Sequence, residues 1–487
     1  MTDPVQPPFA CTAQAIARHA RNLPDASALV EQGARISYRD LASDLAGWVR
    51  FLDQAGLRSG MLVGVEIGPQ RSLHLMLFLA CEVIGAIATA FTQADRMDDD
   101  PVLPDCAVLV LTSPPAQAYR QTVVVAPEAV PAPCIPETDD WQALDRQPDM
   151  QQTVRISRTS GSTGRQKAVP ISYEVQQRIV NQRRAYLPAA VRQSPRLLCL
   201  YRLGIRAIYT RVYTTLQAGG TVVFAAEEQA PTLLEAGAVN WLPIILGHAE
   251  AVVRQTAGVP SGITVLVEPI GARTSQSLRD LIAERLGAEI HSNYSCNEVN
   301  TIAYVGDDDI GTLCVGTEVR IVDEAGQDKT QGETGLIRVR TATMATGYWN
   351  DPVLTAATFV DGWYHTSDVG FVPEPGKLVV LGRADDMLNI GGIKLPPAPI
   401  EDEIKQIDGV LDVVLLTMPN SGGVDALLVA VEVDTPRAPD DLRARIERVV
   451  MRYVRSFHFL PLPSFPRTET GKIRRSEIEA AFRRHQQ

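Results

Sequence analysis

Apolar residues recur along the chain at two alternating spacings. Between Ser37 and Gly56, the residues Leu41, Leu45, Val49 and Leu52 fall on one helical face, and Ser37 stands three positions before Asp40 in a capping arrangement. A continuous apolar run, LVGVEI at 62–67, follows Gly56 and predicts a buried strand. The strand signal returns at 106–112, 153–157, 221–225 and 263–268, with helical periodicity between, as at 172–187 and 275–286. This alternation predicts an α/β fold whose large N-terminal part is built on mixed or parallel sheets. The most apolar segment, Leu75 to Phe91, contains Glu82 and falls short of the roughly 20 residues a membrane span needs. It predicts a buried helix leading into a strand.

Short segments such as VRIV (319–322) and LIRVR (336–340), set between Gly and Asp turns, predict a compact β subdomain. After GRADD (382–386) the pattern becomes a helix near 399–407, strands at 413–417 and 426–433, a helix near 440–454 and a tail. The expected division is therefore a large domain, 1–384, and a small α+β domain, 385–487. Four prolines between 127 and 136 predict a surface excursion.

Charge changes the picture in one respect. With 46 basic and 57 acidic residues the net charge is −11, which argues against a nucleic-acid partner but leaves room for a local basic pocket. The 45% apolar content fits a large buried core and excludes a mainly disordered chain. The cysteines include no CxxC pair and the histidines no HExxH or HxxxH spacing, so neither a disulfide scaffold nor a thiolate zinc site is expected. The start, MTDPVQPPFACTAQ, lacks the basic and apolar regions of a signal peptide. A cytoplasmic protein without a membrane span, monomeric or homodimeric, fits these features.

The strongest chemical signal is TSGSTGRQK, Thr159 to Lys167, between the strand TVRIS and a helix near Ser172. Its small residues Thr159, Ser160, Gly161, Ser162, Thr163 and Gly164 offer backbone NH groups and hydroxyls to phosphate oxygens, and Lys167 adds a positive charge. Only Ser162 and Thr163 separate Gly161 from Gly164, so this is not a Walker A loop. The loop resembles the hallmark of the adenylate-forming superfamily: acyl- and aryl-CoA synthetases, nonribosomal peptide synthetase adenylation domains and luciferase. Gln166 replaces that family's usual Pro.

Further motifs follow in family order. NYSCNE (Asn293 to Glu298) is similar to YGxTE. The resemblance implies that Tyr294 stacks on adenine, that Asn293 lies beside it, and that Glu298 holds a magnesium ion; Ser295 replaces Gly, and Asn297 replaces a Thr that contacts the α-phosphate. IGARTS (270–275) resembles GGApL, in which Gly271 and Ala272 let the adenine approach the backbone. GETGLIRVR and GYW (332–340, 347–349) resemble fold-marking segments, read as a turn and core aromatics. WYHTSDVG (363–370) resembles YxTGD, with Ser367 for Gly and Asp368 implied to bind the ribose hydroxyls. In GRADDMLNIGGIKLPPAPIE (382–401), Arg383 is implied to reach the ribose, Asp385 to be the hinge, and Gly391 and Gly392 to face a pantetheine tunnel. FPRTETGKIRR (465–475) resembles PRTxxGKxxR, with Lys472 as the catalytic cation.

The resemblance implies an acid–thiol ligase that uses ATP and Mg²⁺ to form an acyl-adenylate from a small-molecule carboxylic acid. The acceptor is then CoA or the phosphopantetheine of an acyl or peptidyl carrier protein. Two other readings are a stand-alone carrier-loading enzyme and a degenerate nucleotide-binding regulator. For the acid, the family draws on the helix IRAIYTRVYTTLQAGG (205–220), where amino-acid-activating members place an Asp near the start. Aligning the terminal glycines puts Arg206 near that place, and Arg202 stands close to where CoA ligases often carry a gating aromatic or His. An Arg at that place repels an α-amine and suits an acid with a second carboxylate or another acceptor. Arg202, Arg206 and Arg211 read equally well as surface or phosphate-facing residues.

Overall fold

A computed structural model describes residues 9–92, 95, 100–112, 122–124, 141–159, 166–271, 274–390, 393–418, 426–433, 441–467 and 473–485. Among these, the N-terminal part is built on two largely parallel sheets. One runs Glu289–Ile290, Leu266–Ile270, Trp241–Ile245, Arg196–Cys199, Thr221–Phe224, Ser27–Glu31, Ala34–Ser37, parallel except for the last pair. The other runs Thr122–Val124, Val108–Leu111, Leu62–Glu66, Ile87–Phe91, Thr153–Thr159, Lys167–Ser172, ending in an antiparallel hairpin.

Strand alternation assigns each sheet two buried faces. Leu197, Val222, Trp241 and Leu266 join the central core with Val63, Val65, Val108 and Val110 of the other sheet. Their neighbours Leu198, Val223, Leu242 and Val267 point to a second core on the far side. The helices Thr12–Asn22, Tyr38–Gln54, Arg71–Ile84 and Arg206–Gln217 contribute to the central core shared by the two sheets. The capping box is realised in both directions: Asp40 N donates to Ser37 Oγ at 3.1 Å and Ser37 N to Asp40 Oδ2 at 3.1 Å. The apolar run from Leu75 divides into the buried helix Arg71–Ile84 and the strand Ile87–Phe91, with Gly85 between them at φ +86. Among the described residues no helix is long and apolar enough to cross a membrane.

Antiparallel strands follow, in the order Ser292–Cys296, Asn300–Val305, Gly311–Leu313, Lys377–Arg383, Trp363–Phe371, Gly335–Arg340, Glu318–Val322. Towards the C-terminus, Val410–Met418 pairs antiparallel with Ala426–Val433, and that strand pairs parallel with Phe457–Leu462. Helices Pro397–Lys405 and Leu442–Val450 cover one face of this small sheet, and Ile478 and Phe482 of Arg475–His485 pack on the other.

Two expectations shift. The strand expected at 263–268 lies at Leu266–Ile270, because its parallel register with Trp241–Ile245 starts at Trp241 opposite Leu266. The segment read as a tail contains an ordered strand and helix, since Phe457–Leu462 completes the small sheet. The proline-rich excursion at 127–136 lies outside the described residues.

Candidate active site

The antiparallel hairpin Thr153–Thr159 and Lys167–Ser172 pairs Thr159 with Lys167, the first and last residues of TSGSTGRQK. Ser160, Gly161, Ser162, Thr163 and Gly164 lie outside the described residues, as do Ala272, Gly391, Gly392 and Lys472. The Lys167 ammonium stands 5.3 Å from the centre of the Tyr348 ring. On the same ring, the hydroxyl donates to Glu298 Oε1 at 2.8 Å. Both residues are buried. Two backbone bonds fix this arrangement: Ala345 N to the Glu298 carbonyl, and Trp349 N to the Ala168 carbonyl, each 2.8 Å. Tyr348 thus joins Lys167 to Glu298 across 131 residues of sequence. From sequence it reads as a core aromatic, and the family's GY pair is its only signal.

Burial raises the Tyr348 hydroxyl above its ordinary range, and the neighbouring Glu298 charge pushes the same way, so the hydroxyl stays a donor. The other Glu298 oxygen has no hydrogen-bond partner among the described residues, and no cluster of three or more metal-binding side chains occurs among them. One carboxylate oxygen left free among the described residues is the kind of hard oxygen donor that would suit magnesium.

Tyr294, on the strand Ser292–Cys296, donates its hydroxyl to Asp368 Oδ2 at 2.5 Å. Asp368 faces Arg383 directly in the register of Trp363–Phe371 with Lys377–Arg383. Three residues drawn from separate motifs therefore meet. Burial raises the Asp368 carboxyl above its ordinary range, partly offset by the Tyr294 hydrogen bond and Arg383. Ser367 adopts φ +63, a left-handed conformation that glycine takes without strain. Asn293 is half-buried on its strand, and Asn297 is half-buried in the turn that follows. Gly271 follows the strand Leu266–Ile270 at φ +106, and among the described residues no atom lies within 4 Å of where its Cβ would stand.

Asp385 is exposed in the single turn Ala384–Asp386, and its neighbour Asp386 pairs with Arg475 at 2.9 Å. The arginines around helix Arg206–Gln217 separate. Arg202 is exposed, whereas Arg206 is buried within the first helical turn. Arg211 is neither on the surface nor aimed at phosphate: its Nε donates to buried Glu268 at 2.6 Å. Glu268 also accepts from Trp241 Nε1 at 2.6 Å and Arg183 Nη1 at 3.4 Å. Nothing in the sequence pattern marked this clamp.

A family model described as AMP-binding enzyme matches residues 16–349. The feruloyl-CoA synthase of an Amycolatopsis species is 27% identical over 502 residues, covering 96% of this chain and 98% of that enzyme. The 2-hydroxy-7-methoxy-5-methyl-1-naphthoate–CoA ligase of Streptomyces carzinostaticus is 27% identical over 516 residues, covering 96% of this chain and 92% of that enzyme. Among solved structures, ATP-bound MatB from Rhodopseudomonas palustris superimposes with a TM-score of 0.81 at 20% identity, over 96% of this chain and 99% of that one.

Proposed function

The chain belongs to the AMP-binding enzyme family, and from that premise we propose that it joins a carboxylic acid to a thiol at the expense of ATP, by way of an acyl-adenylate. A carboxylate oxygen of the acid attacks the α-phosphorus of ATP, and pyrophosphate leaves with the electrons of the broken P–O bond. The thiol sulfur then attacks the acyl carbon, its proton passes to solvent, and AMP departs. CoA is the acceptor named for both CoA-ligase relatives above and is proposed here; a phosphopantetheinyl carrier protein is the other thiol of the same chemistry.

The observation that carries this reading is the convergence of Lys167 and Glu298 on Tyr348, beside the Tyr294–Asp368–Arg383 group. Catalysis of this kind depends on positioning and charge neutralisation more than on covalent participation. Lys167 and the loop 159–164 hold the terminal phosphates. Glu298 would hold magnesium, which would supply positive charge to the phosphates. Tyr348 keeps the carboxylate of Glu298 oriented by its hydrogen bond. Tyr294, with Asn293, Gly271 and Ala272, takes the adenine; Asp368 accepts from the ribose hydroxyls beside Arg383; Asn297 donates to the α-phosphate. Lys472 neutralises charge that builds on the α-phosphorus in the transition state. Residues 385–487 act as a mobile domain hinged at Asp385, withdrawing Lys472 before the thiol enters.

The test is the release of AMP and pyrophosphate with an acid panel, with and without CoA. Acid-dependent pyrophosphate release that Lys472→Ala abolishes supports the reading. ATP binding without turnover on any acid, equal in wild type and variant, replaces it with a nucleotide-binding role.

A further inference from the structure

Helix Arg206–Gln217 carries two buried arginines in opposite situations. Arg211 is engaged through Nε to Glu268 and through Nη1 to the Ala207 carbonyl at 2.5 Å. Arg206 is 3% exposed, and its Nε, Nη1 and Nη2 all lack a hydrogen-bond partner among the described residues. Among the described residues it forms no ion pair. One turn along, the Tyr209 hydroxyl is also buried without a partner. It lies within polar contact of the guanidinium and favours its charge, but the contact is too poorly aligned to satisfy either group as a regular hydrogen bond. The other groups that favour that charge, Cys296 and Glu298, belong to the segment that forms the candidate active site.

A guanidinium keeps its proton inside a protein, and a buried charge with no directly hydrogen-bonded counter-charge is strongly unfavourable. The arrangement is complete once an anion sits against it. Arg211 shows what the satisfied state looks like on this same helix. The phosphates have Lys167, and in the proposed mechanism Lys472, to meet them, so Arg206 is left for the acid. Its planar fork matches a carboxylate or sulfonate, with the Tyr209 hydroxyl as a further donor.

We propose that Arg206 and Tyr209 bind a second anionic group, a carboxylate or sulfonate, on the acid substrate. The inference rests on the adenylation reading and narrows it to dianionic acids.

The full chain is assayed by ATP–pyrophosphate exchange on matched acids: propionate and succinate, benzoate and isophthalate, benzoate and 3-sulfobenzoate. In the pair whose length fits, the dianion gains about 100-fold or more in kcat/KM over its partner, because the monoanion leaves the buried charge unpaired. Arg206→Met collapses that ratio towards one and raises the thermal midpoint of the ligand-free protein; Arg206→Lys restores part of the ratio. The proposal is overturned if each monoanion matches its dianion in wild type. It is also overturned if Arg206→Met slows both members of a pair equally, which assigns Arg206 to the reacting carboxylate or the phosphates. Exchange with monoanions alone leaves the adenylation reading standing, whereas exchange with no acid removes both.

Discussion

Replacing Glu268 by Gln tests how the site is held in place. The Glu268 carboxylate ties together Arg211 of the helix that carries Arg206, Arg183 of the helix Tyr173–Tyr186, and Trp241 of the adjacent strand. Glu268, Arg183, Arg211 and Trp241 are all almost fully buried. Glutamine preserves the volume but removes the charge, leaving two guanidinium groups without a counter-ion. Breaking a buried pair in this way costs about 3–5 kcal/mol. At roughly 2 °C per kcal/mol for a large domain, the thermal midpoint falls by roughly 6–10 °C. Burial alone raises the Glu268 carboxyl, but Arg211 and Arg183 outweigh it and hold the group below its ordinary range. A depressed value in the fold means the clamp contributes fully above the ordinary carboxylate range and is lost as pH falls through the depressed value. The gap between variant and wild type is therefore full at neutral pH and closes only in strong acid. Unfolding is followed by tryptophan fluorescence, to which Trp241 contributes beside the altered carboxylate. Substituting Glu268, Arg183 and Arg211 together by apolar residues recovers much of the loss, since no charge is then stranded. A neutral-pH shift below about 2 °C for Glu268→Gln refutes the counter-ion argument.

Tyr348→Phe removes the hydroxyl bond to Glu298 but keeps the ring under Lys167, so kcat/KM for exchange falls roughly 10-fold, less than for Tyr348→Ala. Equal losses in the two variants contradict the separate roles. Ser367→Gly relieves the left-handed backbone and raises unfolding free energy by about 0.5–1 kcal/mol in denaturant titration; a loss of stability contradicts the strain assignment. Because burial raises the Asp368 carboxyl, its charge is lost at a higher pH than for an ordinary aspartate. The KM for ATP therefore rises as pH is lowered from neutral towards mild acid, and Asp368→Asn flattens that dependence while raising KM throughout.

The sequence carried the elements whose signal is local. Ser37 and Asp40 form their capping box because three residues bring them together, and the helix and strand around Leu75–Phe91 follow from uninterrupted hydrophobicity. Tyr294, Asp368 and Arg383 each stand in a separate motif, and the Tyr294 hydroxyl and the antiparallel register at Arg383 bring them together at Asp368. The Glu268 clamp was not legible, because its members lie 27, 57 and 85 residues from Glu268 and each is unremarkable alone. Arg206 and Arg211 share a helix and a residue type. Only packing distinguishes the paired one from the unpaired one. Tyr348 was hidden for the same reason, since a Tyr in a strand-rich segment reads as core until its hydroxyl partner is seen.

The most direct measurement follows oxygen from acid to nucleotide. The enzyme is given an acid that supports exchange, labelled with ¹⁸O in its carboxylate, together with ATP and CoA, and the released AMP is weighed by mass spectrometry. One ¹⁸O atom in each AMP is predicted, because the acid's own oxygen attacks the α-phosphorus and stays there when the thiol takes the acyl group. AMP free of label, with the thioester still formed, contradicts the acyl-adenylate.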